Sequence, residues 1–206
     1  MGVVLTDAGQ TEVRHKRWAF GEEWKLNTLD ITVAVLLGVV QGVLVVAGAV
    51  DFFARMFQAT GLIGIAVGFL FVTVYGTLII TTGYLRKRIL AMVLSGAVVA
   101  MLRWLTGAPD GPLLLFYWAG AGLLGGLVLW AFRWREGWLQ YGLAGALLSG
   151  WAGGSWFWFF GINTLGWQAY WVAQAVLLVG GFLFTGVLGY YVGTAVSRIG
   201  VSAIER

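Results

Sequence analysis

The chain has 206 residues, 60% of them apolar and 11% charged, with a mean hydropathy of +0.86 and a formal net charge of +4. A soluble domain would carry about a quarter charged residues, so this composition describes a polytopic membrane protein with lipid as the solvent for most of its length. Zero Cys excludes disulfides, thiolate metal sites and iron–sulfur clusters, and the lone His15 lies in a polar segment, which leaves the membrane part no metal or His-based chemistry.

Residues 1–25 are polar and include Arg14, His15, Lys16, Arg17, Glu22 and Glu23, so they read as a cytoplasmic tail and neither a cleavable signal nor a span. Six apolar runs follow, each near the length that crosses a bilayer as a helix with its backbone bonds satisfied internally. They extend from Leu29 to Val50, Gly61 to Leu85, Ile89 to Leu105, Leu113 to Phe132, Leu139 to Phe160 and Trp167 to about Ile199. The fold class expected is an all-α, six-transmembrane-helix bundle over residues 26–200, with a short cytoplasmic tail at 201–206 and both termini on one side. Eleven of thirteen basic residues fall on that side, leaving Arg55 and Arg103 opposite, and the bias of Lys and Arg makes it cytoplasmic. Trp24, Trp134 and Trp138 flank spans there and read as an interfacial belt. Both Pro residues sit in Thr106-Gly107-Ala108-Pro109-Asp110-Gly111-Pro112, an external loop whose composition demands a fixed turn.

Several chemistries are missing. No Gly-x-x-x-x-Gly-Lys-Ser/Thr occurs, so ATP-driven work would need a partner. Gly153-Gly154-Ser155-Trp156 looks like a nucleophile turn, but no span carries a His or Lys to activate Ser155. Asp30 and Asp51 stand at opposite ends of the first span and make no carboxylate pair, and internal repeats are not evident, which argues against an ion-coupled carrier. The expectation is a protein that is not an enzyme and holds no cofactor.

Two features carry a positive reading. Small residues recur at four-residue spacing, Ala34, Gly38 and Gly42 in the first span and Gly189 and Gly193 in the last, and such faces suit internal packing or a partner helix equally well. The external halves of the spans also gather aromatic and polar groups: Arg103, Trp104, Tyr117, Trp118, Trp151, Ser155, Trp156, Trp158, Asn163, Trp167, Gln168, Tyr170, Trp171 and Gln174, with Asp51 and Arg55 over the first external loop. An aromatic cavity with a few directed hydrogen-bonding groups is what a flat heterocycle needs. The candidate substrate site is Arg103, Tyr117, Trp118, Trp151, Trp156, Asn163, Trp171 and Gln174, while Trp158 and Trp167 read as belt.

Trp24-Lys25, Tyr84-Leu85-Arg86-Lys87, and above all Leu105-Thr106-Gly107-Ala108-Pro109-Asp110-Gly111-Pro112 with a span closing in Arg133-Trp134, resemble the S components of energy-coupling factor (ECF) transporters, specifically the YkoE family. The resemblance covers roughly Trp24 to Val201. It implies a non-catalytic substrate-binding subunit of an ATP-driven importer for a vitamin such as thiamine or its hydroxymethylpyrimidine precursor. A transmembrane coupling component and two cytoplasmic ATPases would complete the machine, with Ala34, Gly38 and Gly42 meeting the coupling component. Gly68, Arg103 and Gly126 stand near where acidic residues would be expected and no span contains Glu, so a neutral or anionic heteroaromatic fits as well as a cationic one. A membrane scaffold or assembly subunit is the alternative reading.

Overall fold

The computed structural model describes residues 21, 23–48 and 62–201, with side chains placed at all of these except 62, 65, 160–165 and 201. The tail through position 20, Asp51, Arg55 and residues 202–206 lie outside that description. The described chain is all helix and turn. Its helices are α1 (Thr28–Val46), α2 (Leu62–Val72), α3 (Thr77–Arg86), α4 (Ile89–Leu105), α5 (Leu113–Ala131), α6 (Trp138–Trp156), α7 (Ile162–Gly180) and α8 (Leu188–Val196). A 3-10 turn (Thr73–Gly76) joins α2 to α3, and π-helical stretches follow α6 (Phe157–Gly161), α7 (Gly181–Val187) and α8 (Ser197–Val201).

These pieces make six rods, matching the six apolar runs. The break between the fifth and sixth falls at Gly166, whose φ of 79° and ψ of 172° only glycine adopts without strain. The last rod, Gly166–Gly200, has 35 residues. At 1.5 Å per residue it is roughly 50 Å long, well beyond the roughly 30 Å hydrocarbon core, so it tilts or emerges from it.

The second rod is the centre of the bundle. Ala66–Arg86 is 61% buried, against 39–44% for the other three rods long and apolar enough to span by composition alone. It touches α1, α4, α5, α6 and the last rod, while α1 packs on α4, α4 on α5, α5 on α6 and α6 on the last rod. Tyr75, Ile79, Ile80, Met92, Tyr141 and Leu148 form the core between them. A central rod in lipid must satisfy every polar group it carries. Thr77, Thr81 and Thr82 each return a hydrogen bond to a carbonyl three or four residues back, and the Gln41 side chain of α1 accepts from the Leu78 N–H at 2.9 Å. Close approach of rods rests on glycine: a Cβ at Gly122 would lie 2.5 Å from the Met92 carbonyl oxygen, and one at Gly96 would overlap the Trp118 carbonyl.

The Ala34/Gly38/Gly42 stripe is spent inside the chain, which corrects its reading as a partner interface. Ala34 is fully buried, and a Cβ on Gly38 would come 2.8 Å from the Ser95 carbonyl oxygen of α4. A Cβ on Gly42 would come 2.6 Å from Leu102. Glycine lets two backbones approach whether the partner is foreign or the chain's own, and here α4 takes the place. The outward face of α1 is Leu36, Val40, Val43 and Leu44.

The end of the bundle holding residues 23–27, 86–88 and 132–137 is tied by ion pairs. Asp30, closing a capping box with Asn27, is buried and receives Arg86 Nε at 2.6 Å, with Arg88 at 3.8 Å. Lys87 meets Glu136 at 2.8 Å on the surface. Trp134 corrects another expectation, for it is no belt residue: it is 5% exposed, and its indole N–H donates to Glu23 Oε1 at 3.2 Å. Left-handed backbone at Arg133 (φ 55°) and Trp134 (φ 53°) turns the indole inward and leaves both flanking arginines exposed. Trp24 and Trp138 do lie on the surface.

Candidate functional site

A cavity of about 340 Å³ opens at the opposite end, between the second rod, the end of α4, the proline loop, α5, α6 and Leu177 of the last rod. That volume falls at the lower end of small-molecule pockets. Its position follows from local chemistry. The Gly111 N–H bonds the Ala108 carbonyl at 3.3 Å, closing a turn with Pro109 in second place and Gly111 in fourth, the positions these residues favour. Asp110, third in that turn, lies at the cavity and is 7% exposed. Arg103, from the last turn of α4, lines the cavity as well.

Aromatic and small residues alternate along the walls. Phe69 and Trp156 meet with ring centroids 6.2 Å apart, Tyr117 and Trp118 come from α5, and Gly68, Gly76, Ala152 and Gly153 leave the space between them. Deeper in the lining stand Thr73, Tyr75 and Gly76 of the second rod with Leu148 and Ser149 of α6. Tyr117 is 2% exposed, and its hydroxyl is buried with no hydrogen-bond partner. It sits close enough to Asp110 for the carboxylate to act on it electrostatically. A buried hydroxyl without a partner costs about 1–3 kcal/mol, and a ligand's polar atom would relieve that. Among the described residues, Arg103 and Asp110 are the charged groups of the lining, so the cavity can bind and orient a flat polar molecule but shows no nucleophile and base in register.

Four of the residues expected from sequence, Arg103, Tyr117, Trp118 and Trp156, come together here. Trp151 and Gln174 do not. They line a second cleft on the far side of α6, with Phe116, Trp158, Phe159 and Tyr170. The reason is helical phase: Ser149, Ala152, Gly153 and Trp156 recur at the spacing of one helix face, whereas Gly150, Trp151, Gly154 and Ser155 fall on the other. Trp151 donates its indole N–H to the Phe116 carbonyl at 3.1 Å, and the Gln174 amide donates to the Gly150 carbonyl at 3.2 Å. Trp171 is 63% exposed and lines neither space, and the Asn163 side chain is outside the described residues. Trp158 and Trp167, read as belt, are both exposed with rings 5.6 Å apart.

Sequence reasoning missed Asp110, Thr73, Ser149 and Phe69. Asp110 was legible only as a turn residue, and the two hydroxyls only as spacers in apolar runs.

The six rods define a multi-pass membrane helical bundle with a cavity toward one end. No family model and no curated protein matches the sequence. A solved structure described as "Crystal structure of an S-component of ECF transporter" is similar in fold, with a TM-score of 0.72 over 88% of this chain and 91% of that one, at 19% identity. At that identity the likeness is one of architecture.

Proposed function

We propose that this chain is the membrane-embedded substrate-binding component of an ECF-type importer, without catalysis of its own, for a small heteroaromatic vitamin or precursor. The observation that carries the reading is the Tyr117 hydroxyl, buried and unpartnered in the wall of an aromatic cavity whose lining also includes Arg103 and Asp110. The likeness of fold to an ECF S-component supports it. Both termini face the cytoplasm, the cavity opens outward, and a transmembrane coupling component with two ATPases drives release. Asp110 supplies a carboxylate at the cavity itself, which keeps thiamine and hydroxymethylpyrimidine as the first ligands to try.

The test is quenching of tryptophan fluorescence, since Trp118 and Trp156 line the cavity. Thiamine, hydroxymethylpyrimidine and a carboxylated heterocycle are titrated into the purified protein, Tyr117→Phe and Arg103→Ala. Tyr117→Phe is expected to weaken a bound ligand about tenfold while leaving thermal stability equal or higher, because the lost hydroxyl had no partner to lose. Arg103→Ala is expected to weaken the carboxylated ligand and spare the cationic one. No quenching by these or by a wider heteroaromatic set would leave the scaffold reading standing.

A further inference from the structure

The end of the bundle away from the cavity carries a second cluster of charge, and its balance is uneven. Each described carboxylate there is taken up inside the chain: Glu23 by the Trp134 indole, Asp30 by Arg86, and Glu136 by Lys87 Nζ at 2.8 Å and the Tyr84 hydroxyl at 3.5 Å. Arg133 and Arg135 are exposed, and among the described residues neither guanidinium enters a hydrogen bond or an ion pair. The backbone that presents them is unusual. The Trp134 N–H bonds the Leu129 carbonyl at 2.8 Å and the Arg133 N–H the Trp130 carbonyl at 2.7 Å, which ends α5 in a Schellman turn with Arg133 at the left-handed position that glycine commonly fills. Two successive L side chains thus take left-handed backbone. Trp134 offsets that cost by its burial and its bond to Glu23, whereas Arg133 gains no polar contact among the described residues.

Depth decides what meets these arginines. The 19 residues of α5 make it roughly 28 Å long, about the thickness of the hydrocarbon core, which places residues 132–137 at the level of the headgroups. Exposed Phe132 and Trp138 flank the turn, and Leu139 and Leu143 continue along the outer face of α6 at four-residue spacing. We infer that this turn is a binding site for an anionic phospholipid. The phosphate lies on Arg133 and Arg135, whose planar guanidiniums offer paired N–H donors to its oxygens, Trp138 borders the glycerol region, and an acyl chain follows the leucine row. A zwitterionic headgroup brings its own cation against the arginines and fits less well. The site lies at the opposite end from the cavity and takes lipid whichever way the chain faces.

Dioctanoyl phosphatidylglycerol and dioctanoyl phosphatidylcholine, alike in their chains and different in headgroup charge, are titrated into the full-length protein in neutral detergent and counted by native mass spectrometry. Wild type should hold the anionic lipid at least about tenfold more tightly. Arg133→Gly should bring that preference to within about threefold. Because glycine adopts left-handed backbone freely, the unfolding temperature of this variant without lipid should equal or exceed that of wild type, which separates a lost headgroup contact from a damaged fold. Arg135→Gln should lower the preference likewise, while Arg198→Gln, which removes the same charge from the last rod, should keep it. An equal fall in all three variants would mean diffuse attraction to a basic surface and overturns the inference. Equal binding of both lipids by wild type also overturns it, and leaves the arginines to an acidic protein partner. Displacement of the lipid by an equal concentration of sn-glycerol 3-phosphate overturns it as well, making the site one for a soluble phosphate. Should Arg133→Gly lower the unfolding temperature instead, Arg135→Gln decides, and an unchanged preference there refutes the site.

Discussion

Asp30 offers the sharpest perturbation, because one carboxylate holds two loops and starts a helix. Its side chain is 1% exposed and that of Arg86 11%, with Nε to Oδ1 at 2.6 Å, while Arg88 at 3.8 Å is 29% exposed and retains water. Removing one partner of a buried pair leaves the other charge uncompensated, at a cost of about 3–5 kcal/mol. The more exposed Arg88 adds less than about 1 kcal/mol. Asp30 Oδ2 also accepts from the Asn27 N–H at 3.0 Å, a capping contribution on the order of 1 kcal/mol. Asp30→Asn keeps an acceptor for that cap and removes only the charge, so it is expected to cost about 3–4 kcal/mol, with Asp30→Ala near 4–5. Replacing both members, Asp30→Leu with Arg86→Leu, should recover at least about 2 kcal/mol over the sum of the single changes, because no lone charge stays buried. Equilibrium unfolding in mixed micelles, run as a double-mutant cycle, measures all four proteins. Single variants within about 1 kcal/mol of wild type, or a double variant equal to the sum of its parts, would refute the reasoning.

Gly38→Leu should destabilise the isolated protein by about 2 kcal/mol or more through its clash with Ser95 and Val98, read as a lower unfolding temperature with no partner present; normal stability would return the stripe to an external interface. Gly166→Ala meets nothing within 4 Å, so its expected cost of about 1–3 kcal/mol comes from backbone strain alone and should appear in the same assay. A reporter fused after Arg206 should be active only in its cytosolic form, and activity outside would turn the cavity to face the cytoplasm.

Length and composition were enough for six rods and their places, because a bilayer forces any apolar run near twenty residues into a helix. The turn at 106–112 was equally legible, since Pro109 and Gly111 act through their own backbone preferences. Depth was legible too: Arg103, Tyr117, Trp118 and Trp156 all lie near the level of the proline loop, where they were expected.

Phase was not legible. In water the polar face of a helix announces which side is out, but in lipid both sides are apolar, and α5 and α6 show no stripe to orient them. Trp151 and Trp156 sit at similar depth on one helix, yet only the second faces the cavity. The same blindness assigned Ala34, Gly38 and Gly42 to a partner when α4 already occupied them, and Trp134 to the interface when Glu23 had drawn it in. Asp110 and the hydroxyls of Thr73 and Ser149 complete the contrast. Their types are plain in the chain, but whether a carboxylate or a hydroxyl borders a cavity is decided by neighbours distant in sequence, as Thr185 and Thr73 bond across 112 positions. Tertiary packing alone brings those atoms within bonding distance, and each hydroxyl has a single proton to direct.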